Sequence, residues 1–231
     1  MSAVARLTKH HGLGNDFLVW IGGDVSRGAA LAMRWCDRHR GVGADGLMIA
    51  EQLGDREWRM SLFNADGSGA EMSGNGIRCF VQAVADGATG EFRIRTGAGL
   101  RVVVIETTDD PTTVSASVDM GFVLNGRPSM GWSSVGAHPD RPVKHLDLGN
   151  PHTVVGVDDV RVVDLAAIGR QVPDVNLEIV SPGPEPSAIT MRVHERGAGI
   201  TEACGTGACA SAWAAVEWGL VPSNAAEVVV H

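Results

Sequence analysis

Short apolar or alternating runs recur along most of the chain, and their spacing predicts a protein rich in β-strands. Some runs alternate apolar with polar residues, as half-buried strands do, and others are continuously apolar. Strands are predicted at residues 3–9, 17–21, 46–50, 58–63, 92–95, 100–106, 113–118, 144–148, 153–157, 188–194 and 227–230.

Four stretches instead have helical spacing. They are residues 28–38, with Ser26 as a candidate N-cap, and residues 74–85, 164–171 and 205–218. Many strands with few helices predict the α+β class. Residues 121–142 are rich in Gly, Pro and Ser and have no period, which is typical of a long loop or linker. We therefore expect two domains, residues 1–120 and 121–231.

Glycine is the unusual feature of the composition, because it supplies 30 of the 231 residues against a usual share of about 7%. Acidic residues outnumber basic ones by 27 to 19, and no basic run occurs. This balance argues against nucleic acid or an anionic membrane surface as a partner. No apolar run approaches the roughly 18 residues of a membrane span. The first residues lack the apolar centre of a secretion signal, so a cytoplasmic location is expected.

The four cysteines are scattered and include no C-x-x-C pair. They are Cys36, Cys79, Cys204 and Cys209. No histidine lies at a spacing that would complete a zinc site with two of them. We therefore expect reduced thiols and no metal.

A segment of the first half matches a segment of the second when the chain is shifted by 131 positions. Residues 64–87 then lie on residues 195–218, and Ser73 lies on Cys204. Each copy has a polar residue nine positions upstream, a Gly-x-Gly turn and then small apolar residues. This match predicts a duplicated unit, one copy in each half.

The repeated element has the pattern of a loop that enters a helix. The first N–H groups of a helix lack partners and carry a partial positive charge, so they bind anions. A thiol at this position is expected to have a lowered pKa, which makes Cys204 a candidate base or nucleophile. The other three cysteines are expected to be inert core residues.

Two such helix ends could bind one carboxylate and place an acid/base group on each side of the neighbouring carbon. This arrangement suits removal of a proton from one face of an α-carbon and its return to the other. No cofactor is needed if the helix N-termini stabilise the developing negative charge. A rival motif, GVGADG at residues 41–46, fits the dinucleotide pattern but lacks the preceding strand and following helix, and we reject it.

The chain closely resembles the diaminopimelate epimerases, relatives of the proline racemases. The resemblance rests on motifs in the family's order: HGLGNDF, RGVGADGL, NADGS, MSGNGIRC, GNPH, PDVN, HERGAG and ACGTGACA. It implies two similar domains, each a mixed or antiparallel sheet around a central helix. It also implies a cofactor-independent isomerase that interconverts LL- and meso-diaminopimelate, in some members as a homodimer.

The resemblance implies that two cysteines act on opposite faces of the α-carbon. Cys204 matches the second of them, but Ser73 stands where the first is expected. A hydroxyl is far less acidic than a thiol. Three explanations are open: an engineered Cys-to-Ser change, a natural variant that works with a Ser/Cys pair, and an impaired paralogue.

Further positions match the family's site residue by residue. His152 and Glu195 match residues that tune the protonation of the catalytic pair. Residues expected to bind the distal end of the substrate are Asn15, Asn64, Asn150, Asn176 and Arg196, and those expected to present N–H groups to the reacting carboxylate are Gly74, Asn75, Gly205 and Thr206.

Two other functions stay open beside the epimerase. One is an epimerase or racemase of another amino acid, such as hydroxyproline, and the other is a catalytically dead protein that still binds diaminopimelate. The chain also stops at His231, where the family continues through further strands, so we expect the last strands to be missing.

Overall fold

Each half of the chain forms one mixed β-sheet that carries helices. The computed structural model describes residues 6–110, 112–136 and 140–231. The chain divides into two units, Met1–Met120 and Gly121–His231, which we call unit 1 and unit 2. Both units combine strands with a few helices, which confirms the predicted α+β class.

Unit 1 contains an eight-stranded sheet with the order β1-β2-β3-β4-β6-β7-β8, in which β5 pairs with β4. Neighbouring strands are antiparallel except for β2–β3 and β4–β6. The strands are β1 Leu7–Gly12, β2 Asn15–Ile21, β3 Gly46–Gly54, β4 Glu57–Asn64, β5 Gly69–Ala70, β6 Gly90–Thr96, β7 Gly99–Thr107 and β8 Val114–Val118, and the helices are α1 Gly28–Trp35 and α2 Gly74–Ala85.

Unit 2 contains a seven-stranded sheet with the order β14-β13-β12-β11-β10-β9, in which β15 pairs with β13. Here β11–β12 and β13–β15 are parallel. The strands are β9 Leu124–Asn125, β10 Val143–Asp147, β11 Pro151–Gly156, β12 Asn176–Pro182, β13 Ala188–Glu195, β14 Gly199–Thr201 and β15 Val229–Val230, and the helices are α3 Leu165–Gly169 and α4 Gly205–Glu217. In the described ranges no helix is both long and apolar enough to cross a membrane.

The same order of elements occurs in both units. A parallel strand pair (β2–β3 or β11–β12) is followed by an antiparallel strand, a short strand and then a helix, α2 or α4. Alternation along the strands sends successive side chains to opposite faces of the sheet. Met48 therefore packs on the face that α2 covers, and Leu47 packs on the face of α1. In β12 of unit 2, Val180 faces α4, whereas Ile179 lies in the cluster that includes α3.

The structure departs from the sequence predictions at several elements. Strand β12 was not predicted, because a carboxylate and an amide interrupt its apolar pattern although its first six residues are buried. Ser26 does not cap α1. Asp24 instead caps a short 3-10 turn by accepting the Ser26 N–H at 3.0 Å, and α1 has no side-chain cap. The expected linker 121–142 contains β9 and a 3-10 turn, Trp132–Ser134. The predicted strand 3–9 begins outside the described residues.

Burial predicts that replacing either of two phenylalanines by alanine will change the free energy of unfolding by very different amounts. Phe80 on α2 is fully buried, whereas Phe122 is 88% exposed. Phe80→Ala should lower the free energy of unfolding by about 3–5 kcal/mol through lost burial and a residual cavity. Phe122→Ala, the matched control, should change it by less than about 0.5 kcal/mol. Urea unfolding followed by circular dichroism measures both, and equal losses would contradict this packing.

Candidate functional site

The two residues aligned by the sequence repeat occupy the same local structure. Ser73 is the N-cap of α2, with φ −139° and ψ 123°, and its Oγ accepts the Gly76 N–H at 3.0 Å. Cys204 is the N-cap of α4, with φ −129° and ψ 114°, and its Sγ accepts the Gly207 N–H at 3.4 Å. Each side chain thus satisfies one of the free N–H groups of a first helical turn.

The Cys204 thiol is buried, with 6% of the residue exposed. Burial raises its pKa well above the ordinary value, and the negative charges of Glu195 and Glu178 raise it further. The Thr206 hydroxyl and the Gly207 N–H act in the opposite direction but do not offset this rise. The predicted lowering of the thiol pKa is therefore wrong for this state, because burial and nearby carboxylates outweigh the helix end.

Glu195 is the last residue of β13 and lies beside Cys204. Burial raises the pKa of its carboxyl group above the usual range, although hydrogen bonds with Thr201 and Cys204 work against this rise. The Thr201 hydroxyl donates to Glu195 Oε1 at 2.5 Å. A carboxyl group with a raised pKa next to a thiol can take up and release a proton.

A chain of hydrogen bonds reaches Cys204 from the interior of unit 2. Glu178 Oε1 lies 2.7 Å from His152 Nδ1, and both side chains are fully buried. His152 Nε2 lies 3.0 Å from Asn150 Oδ1, and Asn150 Nδ2 donates to Thr206 Oγ1 at 3.2 Å. Thr206 Oγ1 lies 3.4 Å from the Cys204 sulfur.

Sequence reasoning missed Glu178, the innermost member of this chain of hydrogen bonds. Its strand was not predicted, so a glutamate there gave no sign of being buried. The only available signal was a single carboxylate inside the run NLEIV, two residues after Asn176 and therefore on the same strand face.

Asn176 and Arg196 meet through the backbone. The Arg196 N–H donates to Asn176 Oδ1 at 2.9 Å, and Asn176 Nδ2 donates to the carbonyl of Pro151 at 3.2 Å. Asn176 is buried and Arg196 is exposed. In this structure the Asn176 amide thus links the start of β11 to the turn that follows β13.

The candidate residues of unit 1 have their own partners. Asn75 is buried at the second position of α2 and accepts a hydrogen bond from Arg78. Asn64 is exposed at the end of β4 and donates to Ser68 Oγ at 2.9 Å. Asn15 Nδ2 donates to Asp45 Oδ2 at 2.8 Å.

An ion cluster supports Asn15 in unit 1. Arg38 pairs with both Asp16 and Asp45 at 2.7 Å, and Lys9 pairs with Asp16 at 2.9 Å. Burial alone would raise the pKa of Asp16, but the hydrogen bonds and charges of Arg38 and Lys9 hold it well below its usual range. Sequence reasoning missed this cluster, because its members are distant along the chain.

The structure therefore brings five of the expected residues of unit 2 together around one helix end. Cys204, Thr206, Asn150, His152 and Glu195 are joined by direct side-chain interactions. Gly74 and Gly205 are the first residues of α2 and α4, as expected. Across the part of the chain that the structure describes, no three His, Cys, Asp or Glu side chains are grouped so that they could hold a metal ion.

Comparison with known proteins points to one family. The family model described as diaminopimelate epimerase matches residues 7–124 and 145–231. A diaminopimelate epimerase of Synechococcus elongatus is 40% identical over 91% of this chain and 82% of its own length. One from Phocaeicola vulgatus is 34% identical over 94% of this chain and 84% of its own length.

Solved structures share the fold at much lower identity. A probable proline racemase from Agrobacterium radiobacter matches with a TM-score of 0.65 and 14% identity, over 94% of this chain and 78% of its own. A hydroxyproline epimerase from Agrobacterium vitis matches with a TM-score of 0.62 and 14% identity, over 93% of this chain and 76% of its own. These likenesses confirm the predicted fold class.

Gly207 gives a first test of the site. A Cβ added there would lie 2.6 Å from Glu178 Oε1, so Gly207→Ala must displace a buried carboxylate from His152. Alanine adds about 1 kcal/mol of helix propensity, but disrupting a buried charged hydrogen bond costs about 1–3 kcal/mol. We expect a net loss of stability in thermal unfolding.

Gly69→Ala is the matched control, because a Cβ there meets nothing within 4 Å. It should leave stability within about 0.5 kcal/mol of the parent. A Gly207→Ala protein more stable than the parent would contradict the close approach of α4 to Glu178.

The carboxylate beside Cys204 gives a second test. Glu195→Gln removes a negative charge that raises the pKa of the thiol, so more thiolate forms at a given pH. A lower pKa raises the thiolate fraction, so the alkylation rate at pH ~9 should be clearly higher in Glu195→Gln than in the parent. Iodoacetamide labelling followed by mass spectrometry of the Cys204 peptide measures this rate. Glu202→Gln, an exposed control two residues away, should leave it unchanged, and equal rates in all three proteins would contradict the assignment.

Proposed function

The chain belongs to the diaminopimelate epimerase family, and from this we propose that it interconverts LL- and meso-2,6-diaminopimelate. The reaction moves a proton at one α-carbon and leaves every other bond unchanged. The observation that supports it most is the helix end of α4, where a thiol, a carboxylate and a hydroxyl meet.

Cys204 serves one face of the α-carbon in this proposal. Glu195 accepts the thiol proton, and the Thr206 hydroxyl and Gly207 N–H then donate to the sulfur, which lets the thiolate act as a base. The high pKa of the buried thiol also makes the thiolate a strong base once it forms. Proton transfer back from the thiol reverses the step.

Ser73 serves the opposite face in this proposal. Its hydroxyl is held at the helix N-cap as Cys204 is, so it can deliver a proton to the carbon. As a base it is weak, because a hydroxyl gives up its proton far less readily than a thiol. We therefore propose that abstraction of the α-proton is slower in the direction in which Ser73 is the base. The step at Ser73 then limits turnover.

The remaining residues bind the substrate. The N–H groups of Gly74, Asn75, Gly205 and Thr206 hold the reacting carboxylate, where the helix N-termini stabilise the negative charge that develops without a pyridoxal cofactor. Arg196 binds the distal carboxylate with two parallel hydrogen bonds, which a guanidinium does better than an ammonium. The amides that complete the distal site are Asn15, Asn64, Asn150 and Asn176.

The four free cysteines are consistent with a reducing, cytoplasmic location. We also propose that the protein forms a homodimer. A hydroxyproline substrate is the weaker alternative, because the family match is to diaminopimelate epimerases and a ring substrate would leave Arg196 unused. A protein that binds diaminopimelate without catalysing a reaction is the other alternative, and it would show no turnover.

Ser73→Cys tests the proposal directly. A thiol at the limiting position should raise the rate of epimerisation by a factor on the order of 10² or more, as a competent acid/base group does. Chiral chromatography of the LL and meso isomers measures the rate. Ser115→Cys, an exposed serine in the same unit, is the control and should change nothing. An unchanged rate in Ser73→Cys would show that Ser73 is not the acid/base group, and absence of turnover in both proteins would contradict the activity.

A further inference from the structure

The tripeptide Leu-Gly-Asn stands at the tip of one hairpin in each unit. In unit 1 it is residues 13–15, where β1 turns into β2, and in unit 2 it is residues 148–150, between β10 and β11. The glycine has a positive φ in both copies, 81° at Gly14 and 89° at Gly149. The strand after the tip, β2 or β11, pairs in parallel with β3 or β12. The two hairpins are therefore equivalent elements of the repeat.

The leucines of the two copies have opposite environments. Leu148 is 2% exposed and packs in the core cluster that includes the apolar face of α4, whereas Leu13 is 60% exposed. The turns differ in length, because residues 148–150 separate the paired strand ends in unit 2 but only Leu13 and Gly14 do so in unit 1. The shorter turn leaves Leu13 at the tip of the hairpin, where its side chain takes no part in the core.

The backbone of Leu13 is also strained, because it lies in the left-handed region with φ 53°. Two-residue hairpin turns with positive φ at both positions favour asparagine followed by glycine, since most side chains crowd the backbone there. A single exposed leucine is ordinary on a protein surface, but one in this conformation is not. Folding gains little from the Leu13 side chain and is opposed by its backbone. Strain of this kind is concentrated at functional sites.

The tip of this hairpin lies against the first turn of α2. A Cβ added at Gly12 would lie 3.5 Å from the Cβ of Asn75, the second residue of the helix. Asn15 follows directly after the turn. In the proposed epimerase Asn75 binds the reacting carboxylate and Asn15 binds the distal end of the substrate. The turn that carries Leu13 is therefore next to the stretch of substrate that joins these two ends.

We propose that Leu13 is a specificity-determining residue whose exposed side chain packs against the methylene chain of bound diaminopimelate. The methylene groups join the two amino-acid centres and offer no polar atom for recognition. Contact with a leucine removes apolar surface of both partners from water. The inference rests on the proposed epimerase function. Since the methylene chain does not react, the contact is equal in the ground and transition states and acts on KM rather than on kcat.

Leu13→Asn separates ligand contact from folding, because the two effects have opposite signs. Asparagine suits the left-handed turn, so Tm should rise by about 2–4 °C. Loss of the apolar contact should raise KM for diaminopimelate about tenfold, with kcat within about twofold of the parent. Leu13→Met keeps a long apolar side chain and should keep KM within about threefold. An unchanged KM in Leu13→Asn, an equal rise in Leu13→Met, or a lower Tm in Leu13→Asn would overturn the inference.

Leu53→Asn is the matched control. Leu53 is also an exposed leucine of unit 1, but it lies seven residues after Gly46 along β3, which is about 23 Å. Gly46 pairs with Phe17 near the hairpin, so Leu53 is at the far end of the strand. Both kinetic constants should be unchanged in this variant. A rise in KM equal to that of Leu13→Asn would show that loss of any exposed leucine has this effect, and would overturn the inference.

Calorimetric titration with diaminopimelate gives a readout that does not require turnover. We expect Kd to rise about tenfold in Leu13→Asn, and the heat-capacity change of binding to become less negative because less apolar surface is buried. The same Kd in Leu13→Asn and the parent would overturn the inference and leave the epimerase function intact. The expected rise in Kd without turnover in the parent would support the inference and contradict that function. No binding to any of these proteins would overturn both.

Discussion

A buried carboxylate beneath the first turn of α4 is the constraint on which the site of unit 2 depends. Glu178 is held by His152, and the helix approaches it so closely that a Cβ at position 207 would lie 2.6 Å from Glu178 Oε1. That approach places the free N–H groups of the helix, the Cys204 sulfur and two carboxylates in one small volume. The other contacts of the site, from Asn150 to Thr201, surround this arrangement.

The N-caps of α2 and α4 have similar backbone conformations but different side chains. Both N-caps have extended backbone angles and both side chains accept the N–H three residues ahead. Unit 1 presents a partly exposed hydroxyl over Phe17 and Met48, whereas unit 2 presents a buried thiol over His152 and Glu178. The same local structure therefore holds a hydroxyl in one unit and a thiol in the other, and the units also differ in the side chains beneath the two helices.

Sequence reasoning found the helix ends but not their surroundings. A serine or cysteine before Gly-x-Gly and small apolar residues is a local pattern, so the starts of α2 and α4 were predictable. Strand β12 was not, because buried Asn176 and Glu178 break the apolar run that would identify a buried strand. The pKa of Cys204 depends on burial and on charges from β12 and β13, which are remote in sequence. The ion cluster around Asp16 was missed for the same reason.

Deuterium incorporation at the α-carbon in heavy water tests the central claim, that this chain is an epimerase with one thiol face and one hydroxyl face. The LL and meso isomers are incubated separately, and mass spectrometry follows early incorporation together with inversion. The account predicts that one isomer, whose α-proton faces Cys204, gains deuterium much faster than the other, and that Cys204→Ala abolishes this difference. Equal incorporation into the two isomers would contradict the inequality of the faces, and binding without any incorporation would contradict the epimerase itself.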